Sequence, residues 1–139
     1  MSQENVELVR RMYEGLNTGV RADALSDEML ATIFDPGVEM QQLSDLAGTA
    51  GTFRGYEGLR QAFREVHEAL EHNRWEPLEQ VASGDRVAFA VRVSAIGRAS
   101  GAPTEIWVGH LFELRAGRIV RWVVHPKPEE ALEAVGQSE

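Results

Sequence analysis

The texture of the chain changes once, at Arg74, and that change limits what it can fold into. Ahead of it, apolar residues recur at helical spacing. Val6, Val9, Tyr13 and Leu16 form one stripe, flanked by Leu8 and Met12. Leu25, Met29, Leu30 and Ile33 form a second, and Tyr56, Leu59, Phe63, Val66 and Leu70 a third. Asn17-Thr18-Gly19 stops the first stripe and Asp35-Pro36-Gly37 the second. Between the second and third, Val38 to Leu43 reads as a short strand, followed by a polar loop from Ser44 to Thr52. Beyond Arg74 come four strand-like runs: Trp75 to Ala82, Arg86 to Ile96, Thr104 to Leu114 and Arg118 to His125. Ser83-Gly84-Asp85, Ser100-Gly101 and Ala116-Gly117 turn the chain between them. Pro77 marks its strand as an edge or a bulge. Helices grouped ahead of a meander predict α+β: three N-terminal helices packed on a mainly antiparallel sheet. The 139 residues fit a single domain, 1–139, which at this size buries roughly two-thirds of its unfolded surface.

Composition narrows the functions. With no cysteine, disulfides, thiolate metal sites and cysteine nucleophiles are excluded. A net charge of −8 and no basic stripe argue against nucleic acid as a partner. No apolar run reaches the ~18–20 residues that span a membrane. Met1-Ser2-Gln3-Glu4-Asn5 has neither a basic nor an apolar leader region, so the sequence reads as cytoplasmic. No His/Asp/Glu spacing suits a metal, no glycine-rich phosphate loop precedes a helix, and no Gly-x-Ser-x-Gly is present. Neither metal nor cofactor is expected.

Strand register determines which side chains share a face. If Ala116-Gly117 and Ser100-Gly101 are both two-residue turns, Leu111 faces Trp122, Gly109 faces Val124, and Arg92 faces Gly109. One face then carries Ala88, Ala90, Arg92, Ser94, Trp107, Gly109, Leu111, Trp122 and Val124. The other carries Phe89, Val91, Val93, Val108, His110, Phe112, Arg121 and Val123. A slip of one residue at either turn exchanges the two sets.

Four segments resemble a known family. They are Glu4-Asn5-Val6-Glu7-Leu8-Val9-Arg10-Arg11-Met12-Tyr13, Asp35-Pro36-Gly37-Val38-Glu39, Phe53-Arg54-Gly55-Tyr56-Glu57-Gly58 and the terminal hairpin from His110 to Trp122. In this order they resemble the SnoaL-like family of the nuclear transport factor 2-like superfamily. The resemblance implies an α+β cone, a strongly curved sheet wrapped around the helices, with a ligand pocket in its mouth. It implies no single activity, since members range from cyclases, isomerases, dehydratases and epoxide hydrolases to binders. The carboxylates of the family's chemistries align with Met40, Gly109 and Val124, and its helical tyrosine aligns with Met12, one residue from Tyr13. No carboxylate remains at those positions to move a proton.

By that resemblance the first face lines the pocket. The expected ligand-binding residues are Met12, Tyr13, Met40, Phe63, Arg92, Trp107, Leu111 and Trp122. Arg92 could hold a carboxylate or enolate, although a carboxylate of the chain such as Glu39 or Glu113 would serve it equally. His67, Tyr13 and Arg92 are the catalytic candidates, and His110 falls outside the pocket. Two readings follow: a binder of a small apolar or carboxylated metabolite, or an acid–base isomerase, cyclase or dehydratase acting on a small hydrophobic, polyketide- or steroid-like substrate. The second face, apolar and uncovered, predicts a homodimer packed sheet against sheet, unless residues from Pro128 to Val135 fold back over it as a helix.

Overall fold

The computed structural model describes residues 2–19, 21–43 and 51–136. Helix α1 (Ser2–Leu16) leads through a 3-10 turn (Ala22–Ala24) to the single-turn helix α2 (Asp27–Leu30), whose first turn is capped by Ser26. Strand β1 (Phe34–Gln42), strand β2 (Gly51–Arg54) and helix α3 (Gly55–Ala69) follow. Strands β3 (Leu70–Ser83), β4 (Arg86–Gly97), β5 (Pro103–Arg115) and β6 (Arg118–His125) form the meander, and helix α4 (Pro128–Val135) closes the chain. The α+β architecture is as expected. Most of the expected loop, residues 44–50, lies outside the described residues. Its last residues begin β2, which is too short to show alternation in sequence.

The strands join in the order β2-β1-β6-β5-β4-β3, a curved mixed sheet in which β1 and β6 pair in parallel and the other described pairs are antiparallel. Asp35-Pro36-Gly37, expected to precede the first strand, lies within β1. The β1–β6 ladder shifts register between Phe34 and Glu39, so proline interrupts no regular pairing there. Pro77 likewise lies on the edge strand β3 beside a register shift.

Register departs from expectation at both hairpins, with different consequences. Between β4 and β5 the last pair is Ile96 with Pro103, so Arg92 opposes Trp107 rather than Gly109. That shift of two residues preserves the faces. Between β5 and β6, Arg115 opposes Arg118 around Ala116-Gly117, and both turn residues have positive φ, as a tight hairpin of this hand requires. The ladder then slips by one residue: Leu114 opposes Ile119, but Glu113 opposes Arg121. Val120 is the extra residue of a bulge, and everything beyond it on β6 changes side.

The faces are consequently sorted differently from the sequence reading. Phe89, Val91, Val93, Val108, His110 and Phe112, expected outside, join Trp122 and Val124 beneath α1 and α3, all nearly inaccessible. Ala88 and Leu111, expected inside, lie on the convex face with Val123, packed against Ala131 and Val135 of α4. The fold-back helix is therefore present. Pro128 occupies its first turn, and the Glu130 carboxylate accepts from the Lys127 N–H at 3.3 Å. The apolar patch proposed for a sheet-to-sheet homodimer does not exist as such: Val91, Val93, Val108 and Phe112 are core, and Val123 is under α4.

Candidate functional site

The inner face of the sheet does not meet the helices everywhere. Toward the ends of α1 and α3 it leaves a cavity of about 300 Å³. Its floor is the sheet: Met40 and Gln42 from β1, His110 from β5, and Trp122 and Val124 from β6. Ala62, Phe63, Val66 and His67 of α3 form one wall, and Asn73 and Trp75 of β3 another. Arg21, Glu71 and Arg98 bring charge to the lining. These charges are already matched within the chain: Arg21 pairs with Asp23 at 2.8 Å and Arg98 with Glu71 at 3.0 Å.

His110 is the centre of the site. It is fully buried, and the rings of Tyr13, Trp75, Phe112 and Trp122 surround it with centroids 5.2–5.8 Å away. Its Nδ1 is 2.6 Å from the Tyr13 hydroxyl, with the two ring planes within 8° of parallel. Burial dominates the titration of both groups. It pushes the His110 imidazole down to about 3, with His125 adding to the effect, and holds the Tyr13 phenol well above its ordinary range. Both are neutral at physiological pH. Donation from the Tyr13 hydroxyl to Nδ1 gives the phenol proton its partner, whereas the opposite tautomer would leave that proton without one among the described residues. The ring proton is then on Nε2, which has no partner.

Three further buried polar atoms on the lining share that condition: Trp122 Nε1, Gln42 Oε1 and Asn73 Oδ1. The Asn73 amide is oriented by its nitrogen, which donates to the Leu70 carbonyl at 3.3 Å and leaves the oxygen open. Unmet buried polar atoms each cost about 1–3 kcal/mol, and several of them on residues around one cavity form the pattern a bound molecule completes. Two are N–H donors and two are amide oxygens.

Measured against expectation, Met40, Phe63, Trp122 and His67 line the cavity, and Tyr13 reaches it through His110. Met12 borders a neighbouring space. Three expected residues are elsewhere, because they occupy the face that the bulge leaves outward. Arg92 pairs with Glu76 at 2.9 Å and stacks over Trp107, itself exposed, while Leu111 packs under α4. His110 was assigned outside by the same error of parity. Gln42 carried no sequence signal beyond being polar in a strand-like run, and Asn73 falls between the third helical stripe and the first strand-like run of the meander. His67 has its imidazole lowered by partial burial and by Arg21.

The SnoaL-like domain model matches residues 9–122. Among solved structures, a nuclear transport factor 2-like protein of unknown function from Burkholderia pseudomallei superposes with a TM-score of 0.75 at 22% identity, covering 99% of this chain and 100% of that one. TerC, co-crystallised with polyporic acid, superposes at 0.73 with 22% identity, covering 94% and 98% of the two chains. SalBIII, an epoxide hydrolase/cyclase-like enzyme described in pyran ring formation in the polyether salinomycin, gives 0.68 at 20% identity, covering 88% and 90%. At these identities the likeness is one of fold. A search of curated proteins finds no match.

Proposed function

The chain belongs to the SnoaL-like domain family, and from that premise we propose that it binds a small, largely apolar molecule through one neutral oxygen, a phenol, enol or ketone, received by His110 and Trp122. The observation that carries this is the set of unpartnered buried atoms on residues around the cavity, two of them on adjacent strands of its floor. The N–H groups of His110 and Trp122 suit an oxygen acceptor, and Gln42 and Asn73 suit a hydroxyl proton. Aromatic and aliphatic side chains form most of the remaining wall. A deep carboxylate is disfavoured, because the arginines on the lining are already paired and the buried imidazole stays neutral. The neighbours described with polyporic acid and in pyran ring formation support a small organic occupant.

Binding of 4-methylphenol, followed by calorimetry, tests the reading. His110→Leu and Trp122→Phe should each weaken it roughly tenfold, the loss of one hydrogen bond in a dry site. Arg92→Ala should leave it within about twofold, since Arg92 faces away; a large loss there would contradict the site assignment.

A second reading has one observation behind it. A neutral imidazole N–H beside an indole N–H can also stabilise an enolate oxygen, as acid–base isomerases and cyclases of small hydrophobic ketones require. The missing part is a base. The Glu71 carboxylate is tied to Arg98, which leaves His67 to take the proton. Deuterium exchange at the carbon next to a bound ketone's carbonyl, abolished by His67→Gln, would establish this reading; no exchange above buffer would dismiss it.

A further inference from the structure

A second cavity of about 210 Å³, open to solvent at Gly15 and Met29, lies behind the first, bounded by α1, the 3-10 turn, α2 and the start of β1. Its lining is almost wholly apolar, with Met12, Leu25, Leu30 and Ile33 among its walls. Leu16, Ala22 and Phe63 line both spaces, so a partition one side chain thick divides them. Trp122 packs against that partition, its ring centroid 6.1 Å from Phe63.

Gly15 marks where the second cavity meets solvent. It sits in the last turn of α1 and borders the second cavity alone. Its backbone is in no region that demands glycine, and a Cβ built there meets nothing within 4 Å. Glycine in a helix costs about 0.8–1.0 kcal/mol relative to alanine. Gly15 is itself exposed to solvent, so a longer side chain placed there can reach over the mouth of this space. At the far end Met29, largely exposed, gives the space a flexible apolar border.

We infer that this annex is a second subsite, which takes the apolar tail of the molecule whose oxygen is held at His110 and Trp122. The inference rests on the binding reading above and sharpens it: the ligand is an elongated amphiphile, an oxygen head on a hydrocarbon body too long for the main cavity. The tail passes Leu16 and Phe63 by rotamer changes, without movement of the sheet. Phe63 then sets the length that is accepted.

A series of 4-n-alkylphenols from methyl to octyl tests this by calorimetry. In the unaltered protein, affinity should rise by roughly fourfold per methylene once the chain reaches the partition, the increment for removing a CH₂ from water. Gly15→Leu should flatten that rise, leave 4-methylphenol unchanged, and not lower the thermal midpoint, because it improves the helix. A flat series with 4-methylphenol still bound overturns the annex and leaves the binding reading intact. A rise that persists undiminished in Gly15→Leu also overturns the annex as the tail's location. Failure of every phenol to bind overturns both.

Discussion

Replacing Gly109 by valine is expected to lift α4 from the sheet and destabilise the protein by about 3 kcal/mol, the upper end for overpacking a dense interior. Gly109 lies on β5 opposite Ala90 and His125, on the convex face. A Cβ there would be 2.6 Å from the Ala131 Cβ and 2.9 Å from the carbonyl oxygens of Lys127 and Pro128. The first contact is a methyl that could be removed; the other two are backbone at the start of a helix held by Pro128 and Glu130. Urea unfolding should show a lower midpoint for Gly109→Val and a smaller loss for Gly109→Ala. Adding Ala131→Gly to Gly109→Ala should recover part of that loss. Unchanged midpoints in all variants would show that α4 does not hold this position in solution.

The second large effect is acid instability. The His110 imidazole has its proton affinity reduced to about 3 in the folded protein, against about 6.5 in an unfolded chain. Between those values the unfolded chain binds a proton that the native state refuses, so stability falls as pH falls through the window. The full difference is on the order of 5 kcal/mol for this one group. His67 and His125 are lowered as well and act in the same direction. Carboxylates titrate in part of the same range, so the contribution of His110 is the difference between the protein and His110→Gln, which should lose stability less steeply between pH 6 and pH 4. An NMR titration gives the direct check: the His110 ring should remain neutral at pH 5. A midpoint near 6 in the folded protein would refute the account. Tyr13 acts at the other extreme. Its raised phenol resists ionising when folded, so stability is lost again above about pH 10, where the unfolded phenol ionises.

Element types were readable in the sequence, because stripes at helical spacing and runs closed by Gly-containing turns carry their own period. Helix α4 was readable as an alternative through Pro128 and the apolar pair Ala131 and Val135. The faces of the sheet were not. Arg118-Ile119-Val120-Arg121 gives no hint of which residue is extra, since isoleucine and valine suit either side of a strand. The candidate site inherited that error. Trp122 and Met40 fell inside as expected, while Arg92, Trp107 and Leu111 were placed there by counting straight through the hairpin. All four alignment positions that lacked the family's polar groups have a polar neighbour one residue along, and two of those neighbours are Tyr13, beside Met12, and His110, beside Gly109. That pair is the one joined at 2.6 Å.

The bulge at Val120 also bears on how this protein can exchange parts with its relatives. A sixth strand taken from a homologue with an unbroken hairpin would arrive with inside and outside reversed from Arg121 onward. It would bring the partner of α4 into the cavity and leave an indole in water. Any graft, chimera or inherited recombination at this hairpin must therefore carry the supernumerary residue with the strand. The unit of inheritance is β6 together with its bulge, and alignments scored without a gap at Val120 will pair residues from opposite sides of the sheet.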